Sequence, residues 1–123
     1  MFIEKSNKLD KIETLIGDTC YITGIIKGNG LLKIDGNIDG DILWQDDIII
    51  GNSALCKSNL SCKNAIIDGT LLGNVFCEQT LVISSKGKIT GDLTVENLVV
   101  KEGGFLDGKC TMVVKRDSQD LID

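Results

Sequence analysis

Apolar residues recur along this chain in short alternations of period two, interrupted every few positions by Gly, Asp, Asn or Ser. From Leu31 the sequence reads LLKIDGNIDGDILWQDD, then IIIGNSALCKSNLSCKN, AIIDGTLLGNVFCEQT, LVISSKGKITGDLTVEN and LVVKEGGFLDGKCTMVV. Each block is close to 17 residues, and the preceding YITGIIKGNG supplies the end of one more. Aligned, the apolar positions form columns. One runs Leu32, Ile48, Ala65, Leu81, Leu98, and two residues on runs Ile34, Ile50, Ile67, Ile83, Val100. A third runs Ile22, Ile38, Cys56, Leu71, Ile89, Leu106, and a fourth Ile26, Ile42, Leu60, Val75, Leu93, Cys110. The fifth is Trp44, Cys62, Cys77, Val95, Met112. Spacing by two places these side chains on one face of a strand, and the interposed turn residues redirect the chain.

A sixth column, Gly24, Gly40, Ser58, Gly73, Gly91, Gly108, marks a corner midway between two inward residues. Gly serves there because it admits an open backbone conformation and close approach of neighbouring chain. Asp35-Gly36 and Asp68-Gly69 mark a second corner with Asx-turn chemistry. A period near 17 with three short strands per period predicts an all-β fold, a parallel β-helix (β-solenoid) of about six coils. At about 4.8 Å per coil, the stretch from Thr19 to Val114 makes a rod on the order of 29 Å long. Residues 19–114 are read as the β-helical domain, 1–18 as a flexible N-terminal tail and 115–123 as a short polar C-terminal tail. Within the first tail Phe2, Leu9, Ile12 and Ile16 fall on one helical stripe, so an amphipathic helix is an alternative there.

Composition agrees with strands. Seventeen Ile and seven Val stand against two Ala, and β-branched side chains suit a pleated surface. There is no Pro, so every residue keeps a backbone donor for a ladder. Aromatics are only 4%, which excludes a core built on large rings. The formal net charge is −5 with both signs interspersed, and no basic track for nucleic acid is present. No apolar run approaches the roughly 18 residues of a membrane-spanning helix, and MFIEKSNKLD lacks the apolar core of a signal peptide. The five Cys include no C-x-x-C pair, and His is absent. Reduced thiols used as small core hydrophobes in a cytoplasmic protein are the expectation, with no metal and no cofactor.

The segments LLKIDGNIDGDI, Leu31 to Ile42, and KITGDLTVENLVV, Lys88 to Val100, resemble the bactofilins, the polymer-forming cytoskeletal proteins of bacteria. The resemblance covers about Thr19 to Val114. It implies a right-handed β-helix that polymerises without nucleotide into non-polar filaments, joined head-to-head and tail-to-tail beneath the inner membrane. It also implies a scaffold for cell-wall hydrolases or synthases and an influence on cell shape. Met1-Phe2-Ile3-Glu4-Lys5 is similar to the family's membrane-binding start, with Glu4 as a departure. Proline-containing tails, common in the family, are absent. The family's aromatic at the C-terminal interface corresponds best to Phe105 in Glu102-Gly-Gly-Phe-Leu106.

Other readings are weaker. A β-helical acyltransferase relies on a His general base, which this chain does not have. The acid pairs Asp39/Asp41 and Asp46-Asp47 read as turn carboxylates, and Gly28-Asn29-Gly30 is too little for a phosphate loop. No catalytic residue is assigned. Cys62 and Cys77 share a column and read as stacked buried thiols, and Trp44 reads as core. The alternative to a filament is a monomeric solenoid that presents a flat face to a protein partner. Its exposed positions, such as Lys33, Lys63, Lys88 and Glu96, mix charges without an aromatic cluster.

Two surfaces are therefore expected to matter. A β-helix leaves strand edges open at both ends, and the last coil keeps its inward pattern with only a short tail after it. Phe105, Leu106 and Met112 are predicted to form much of the C-terminal contact between copies. Met1, Phe2, Ile3, Lys5 and Lys8 are predicted to touch an anionic membrane surface, since the segment is locally cationic in an acidic chain.

Overall fold

A computed structural model describes residues 12–113. Eighteen short strands in this stretch, numbered along the chain, wind into six turns of a parallel β-solenoid with three strands per turn. The first sheet stacks β1 (Ile12–Ile16), β4 (Leu31–Ile34), β7 (Asp47–Ile50), β10 (Asn64–Ile67), β13 (Thr80–Ile83) and β16 (Asn97–Val100). The second stacks β2 (Tyr21–Thr23), β5 (Asn37–Asp39), β8 (Leu55–Lys57), β11 (Thr70–Leu72), β14 (Lys88–Thr90) and β17 (Phe105–Asp107). The third stacks β3 (Ile26–Gly28), β6 (Ile42–Trp44), β9 (Leu60–Cys62), β12 (Val75–Cys77), β15 (Leu93–Val95) and β18 (Cys110–Met112).

The inward columns close the core. Ile34, Ile50, Ile67 and Ile83 lie in direct register, each with no exposed surface, and Ile38, Cys56, Leu71 and Ile89 form an equally continuous buried column in the second sheet. Because side chains alternate across a strand, the rows of each sheet that point inward meet those of the other two along the axis of the rod. Trp44 is part of this interior, and its indole Nε1 donates to the Gly30 carbonyl at 2.6 Å.

The corner column behaves as its glycines require. Gly24, Gly40, Gly73, Gly91 and Gly108 all hold positive φ, between +126° and +149°. A Cβ on Gly40 would run into the carbonyl oxygen of Gly24 one turn below, and one on Gly91 into that of Gly73. Ser58 keeps φ negative in the same column, and its buried hydroxyl has no hydrogen-bond partner. The next position along the chain carries a side-chain ladder. Asn59 Oδ1 accepts from the Asn74 amide, Asn74 Oδ1 from the Asp92 amide, and Asp92 Oδ1 from the Lys109 amide, at 3.1–3.2 Å.

The solenoid begins earlier than the sequence pattern indicates. The stretch from Ile12 to Ile16 is a strand, not part of a helix or tail, and β1 pairs parallel with β4 through Leu15–Lys33 and Ile16–Ile34. Ile12 and Ile16 are four apart, which suits a strand face as well as a helix face, and a parallel edge was available to pair with. Phe2 and Leu9 of that stripe lie outside the described residues, as does the C-terminal tail from 115 to 123.

Candidate polymer interface

Among the described residues each of the three sheets ends on two open strands, β1, β2 and β3 at one end and β16, β17 and β18 at the other. The ends are unlike. At the N-terminal turn Ile16 is buried and Ile22 and Ile26 are half-buried, while the Trp44 ring of the next turn fills the space beside Gly28. At the C-terminal turn the same columns run out into the open. Val100 is 46% exposed and Met112 51%, although both continue columns that are fully or almost fully buried one turn earlier. Leu98 and Leu106 are half-buried beside them, and Cys110 is exposed, its Sγ 3.6 Å from the Met112 Sδ.

The expected interface trio is thus brought to one turn but not to one surface. Leu106 and Met112 belong to inward columns and face the open end. Phe105 precedes Leu106 by one residue, so it projects from the outward side of the second sheet, opposite Lys88 in register and half-exposed at the rim. Val100, read from sequence as core, is instead part of the terminal face, because among the described residues no further strand lies beyond β16. Leu98, Val100 and Cys110 complete that face and were identifiable as the last members of their columns.

Edge amides add direction to the apolar contact. Along the rod each corner amide donates to the turn above, Gly40 N–H to the Lys57 carbonyl and Gly91 N–H to that of Asp107. Gly108 stands in the last turn with no described turn above it, so the C-terminal end offers a donor as well as an apolar surface.

The remaining candidate chemistry resolves into structure. Asp46 accepts the Gly30 amide through Oδ2 at 2.7 Å, and Asp47 accepts from the Asn64 carboxamide at 3.0 Å. The Cys62 and Cys77 sulfurs stack 3.5 Å apart in the interior as free thiols. Contact with Cys77 and burial both push the Cys62 thiol far above its ordinary range. Burial raises the Cys56 thiol to about 12. Such groups stay protonated and unreactive. Among the described residues no cluster of His, Cys, Asp or Glu could hold a metal ion, and no helix is long and apolar enough to cross a membrane. Met1, Phe2, Ile3, Lys5 and Lys8 lie outside the described residues.

Residues 14–111 match the family described as bactofilin, polymer-forming cytoskeletal. The chain belongs to the bactofilin family. Two curated relatives come from Myxococcus xanthus: bactofilin BacP, 25% identical over 99 residues, and bactofilin BacO, 24% identical over 102 residues. The matches take in 80% and 83% of this chain, but 41% of BacP and 81% of BacO. Among solved structures, bactofilin from the double helical filaments of Thermus thermophilus superposes with a TM-score of 0.71 at 22% identity. That match covers 83% of this chain and 99% of the other. The cytoskeletal bactofilin BacA, determined by solid-state NMR, superposes with a TM-score of 0.74 at 23% identity, covering 82% and 96%. The six-turn solenoid is thus the bactofilin fold, and the cytoskeletal role is that of the family.

Proposed function

We propose that this bactofilin assembles end to end, without nucleotide, into non-polar filaments on the inner face of the cytoplasmic membrane, where it organises cell-wall enzymes and cell shape. The observation that carries the reading is the C-terminal turn, whose inward columns open at Val100, Leu106 and Met112 beside three strand edges that are unpaired among the described residues. Burying that face against a second copy removes apolar surface from water and pairs edge groups at once. Family membership supports polymer formation, and the similar Thermus thermophilus chain comes from double helical filaments. Purified chain should form filaments in negative-stain images in the absence of ATP and GTP. Dispersed monomers across salt and concentration would favour the alternative, a solenoid that binds a protein partner through one face.

The membrane part of the reading rests on the sequence Met1 to Lys11, where Lys5, Lys8 and Lys11 outnumber Glu4 and Asp10. Each cation near an anionic surface contributes about 1 kcal/mol, so a single copy binds weakly and a filament binds through many copies. Co-sedimentation with anionic vesicles checks this. Wild-type filaments should pellet with the vesicles, and Phe2→Ala filaments should not, after subtraction of a lipid-free control.

A further inference from the structure

A groove of about 330 Å³ runs along the outside of the third sheet, from the second turn to the fifth. One wall is the side-chain ladder beside the corner. Asp41, Asn59, Asn74 and Asp92 each stand one residue before the registered Ile42, Leu60, Val75 and Leu93, so they fall in one line along the rod. The rungs hold Asn59, Asn74 and Asp92 in place before any ligand arrives, which lowers the cost of binding. The other wall is the outward column Leu43, Ser61, Phe76, where the small Ser61 leaves a dip between two apolar side chains. Leu43 is 42% and Phe76 48% exposed.

We infer that this groove binds a linear aliphatic polyamine laid along the rod, with its end ammonium groups on Asp41 and Asp92. Charge selects the class of ligand, since two carboxylates and no cation line the groove. Neither carboxylate has an ion-pair partner among the described residues. Asp92 accepts the Lys109 amide at one oxygen, and a carboxylate keeps acceptor capacity at the other. Spacing selects the shape. Three rises of about 4.8 Å put the two acids about 14 Å apart, too far to share one metal ion or one ammonium group. A triamine such as spermidine spans about 11 Å between its end nitrogens, and a charge-assisted hydrogen bond of roughly 2.8 Å at each end covers the rest.

The inner nitrogen then passes Asn59 and Asn74, whose carboxamide oxygens each have a second lone pair beyond the rung they accept. The methylenes lie against Leu43 and Phe76, and an aromatic ring suits alkyl groups that carry a cation. A basic peptide fits less well, because its backbone amides would meet that apolar wall without partners. Lys27 and Lys109 continue the two walls in the turns before and after, so a longer polycation meets like charge at both ends. The groove lies on the side of the rod, away from the terminal face, and its occupancy does not depend on end-to-end assembly.

Calorimetric titration of the full chain at low salt decides the matter. Spermidine should bind at one per chain, and spermine no more tightly despite its extra charge. Putrescine, too short to reach both acids, should bind roughly tenfold more weakly. Asp41→Asn with Asp92→Asn should weaken spermidine about tenfold, the product of two exposed ion pairs at about threefold each. Asn already occupies the two middle positions, so circular dichroism should not change. Phe76→Ser repeats the residue of the turn below and should weaken spermidine with the charge unaltered, which keeps the test open if the Asn pair misfolds. Asp39→Asn with Asp107→Asn removes the same charge from the second sheet and should leave binding unchanged. Equal loss in that pair, or affinity that rises steadily from putrescine to spermine, would overturn the inference in favour of general attraction to an acidic chain. Absence of spermidine binding would overturn it as well, and a response to tri-lysine alone would assign the groove to a basic peptide.

Discussion

Gly28 and Trp44 stand one above the other in adjacent turns, and the Trp44 indole occupies the space that a side chain on Gly28 would need. A Cβ there would lie 2.7 Å from the Trp44 Cη2. Gly28→Ala is expected to cost about 1–3 kcal/mol through overpacking. Trp44→Leu should relieve that clash, so the double variant should be more stable than the sum of the single losses requires. A coupling of about 0.5–3 kcal/mol in urea denaturation is the expected signature. Additive losses would show that the two positions do not share this space.

Ile67 sits in the middle of a column of four fully buried isoleucines. Ile67→Asp buries a carboxylate without a partner and should cost at least several kcal/mol, giving unfolded or insoluble protein. A soluble variant with a native β circular-dichroism spectrum would contradict the column assignment.

The corner column makes opposite predictions for two of its members. Gly91→Ala forces a Cβ at φ +143° into the Gly73 carbonyl, so a loss of about 1–3 kcal/mol or more is expected. At Ser58 the hydroxyl is buried without a hydrogen-bond partner, so Ser58→Ala should be neutral or stabilising by up to about 1 kcal/mol. Thermal melts of the two variants should move in different directions.

Met112→Arg places a cation in the open C-terminal face and should reduce filaments to small oligomers with the fold intact. Phe105→Arg, at the rim of the same turn, is expected to shorten filaments as well. Negative-stain lengths for the two variants test this. Normal filaments from Phe105→Arg alone would confine the junction to the end face.

Alkaline stability should report Cys56. Its thiol ionises near pH 9 in an unfolded chain and at about 12 in the fold, so the folded state holds its proton more tightly. The resulting stabilisation is complete below pH 9 and is lost as the pH rises toward 12, because the unfolded chain ionises first. Cys56→Ala loses packing at neutral pH, but its stability should fall less steeply than wild type between pH 9 and 12. Parallel curves of unfolding free energy against pH would show that the thiol titrates alike in both states.

Much of the rod was legible because period two leaves no ambiguity once turns repeat. Ile34, Ile50, Ile67 and Ile83 align only one way, and the corner glycines mark the phase. The strand β1 was not legible, since Ile12 and Ile16 satisfy helix and strand spacing equally and no corner glycine precedes them. The direction of Phe105 follows from parity, since Leu106 is the inward residue. Resemblance to a family interface masked that simpler argument. The outward Ile49, Ile66, Val82 and Val99 were hidden for another reason. Triple aliphatic runs read as strong core signals, and which of the three residues faces out emerges only with the register.

The ladder of side-chain oxygens beside the corner gives the described rod an end mark. Each rung passes an acceptor upward to the next turn, from Asn59 to Asn74 to Asp92, and the last amide in the series belongs to Lys109. A lysine has no side-chain oxygen to hand on. The first turn carries Ile25 at the corresponding corner, where the backbone of Ile26 donates to the Asp41 carbonyl above. If a second molecule simply continued the winding, its Ile25 amide would meet an ammonium-bearing stem where every internal rung from Asn74 onward meets an oxygen. That side-chain rung is therefore missing from such a joint, as it is between the turns that carry Ile25, Asp41 and Asn59, and the contact there falls to backbone hydrogen bonds such as those from Ile26 to Asp41 and from Ile42 to Asn59.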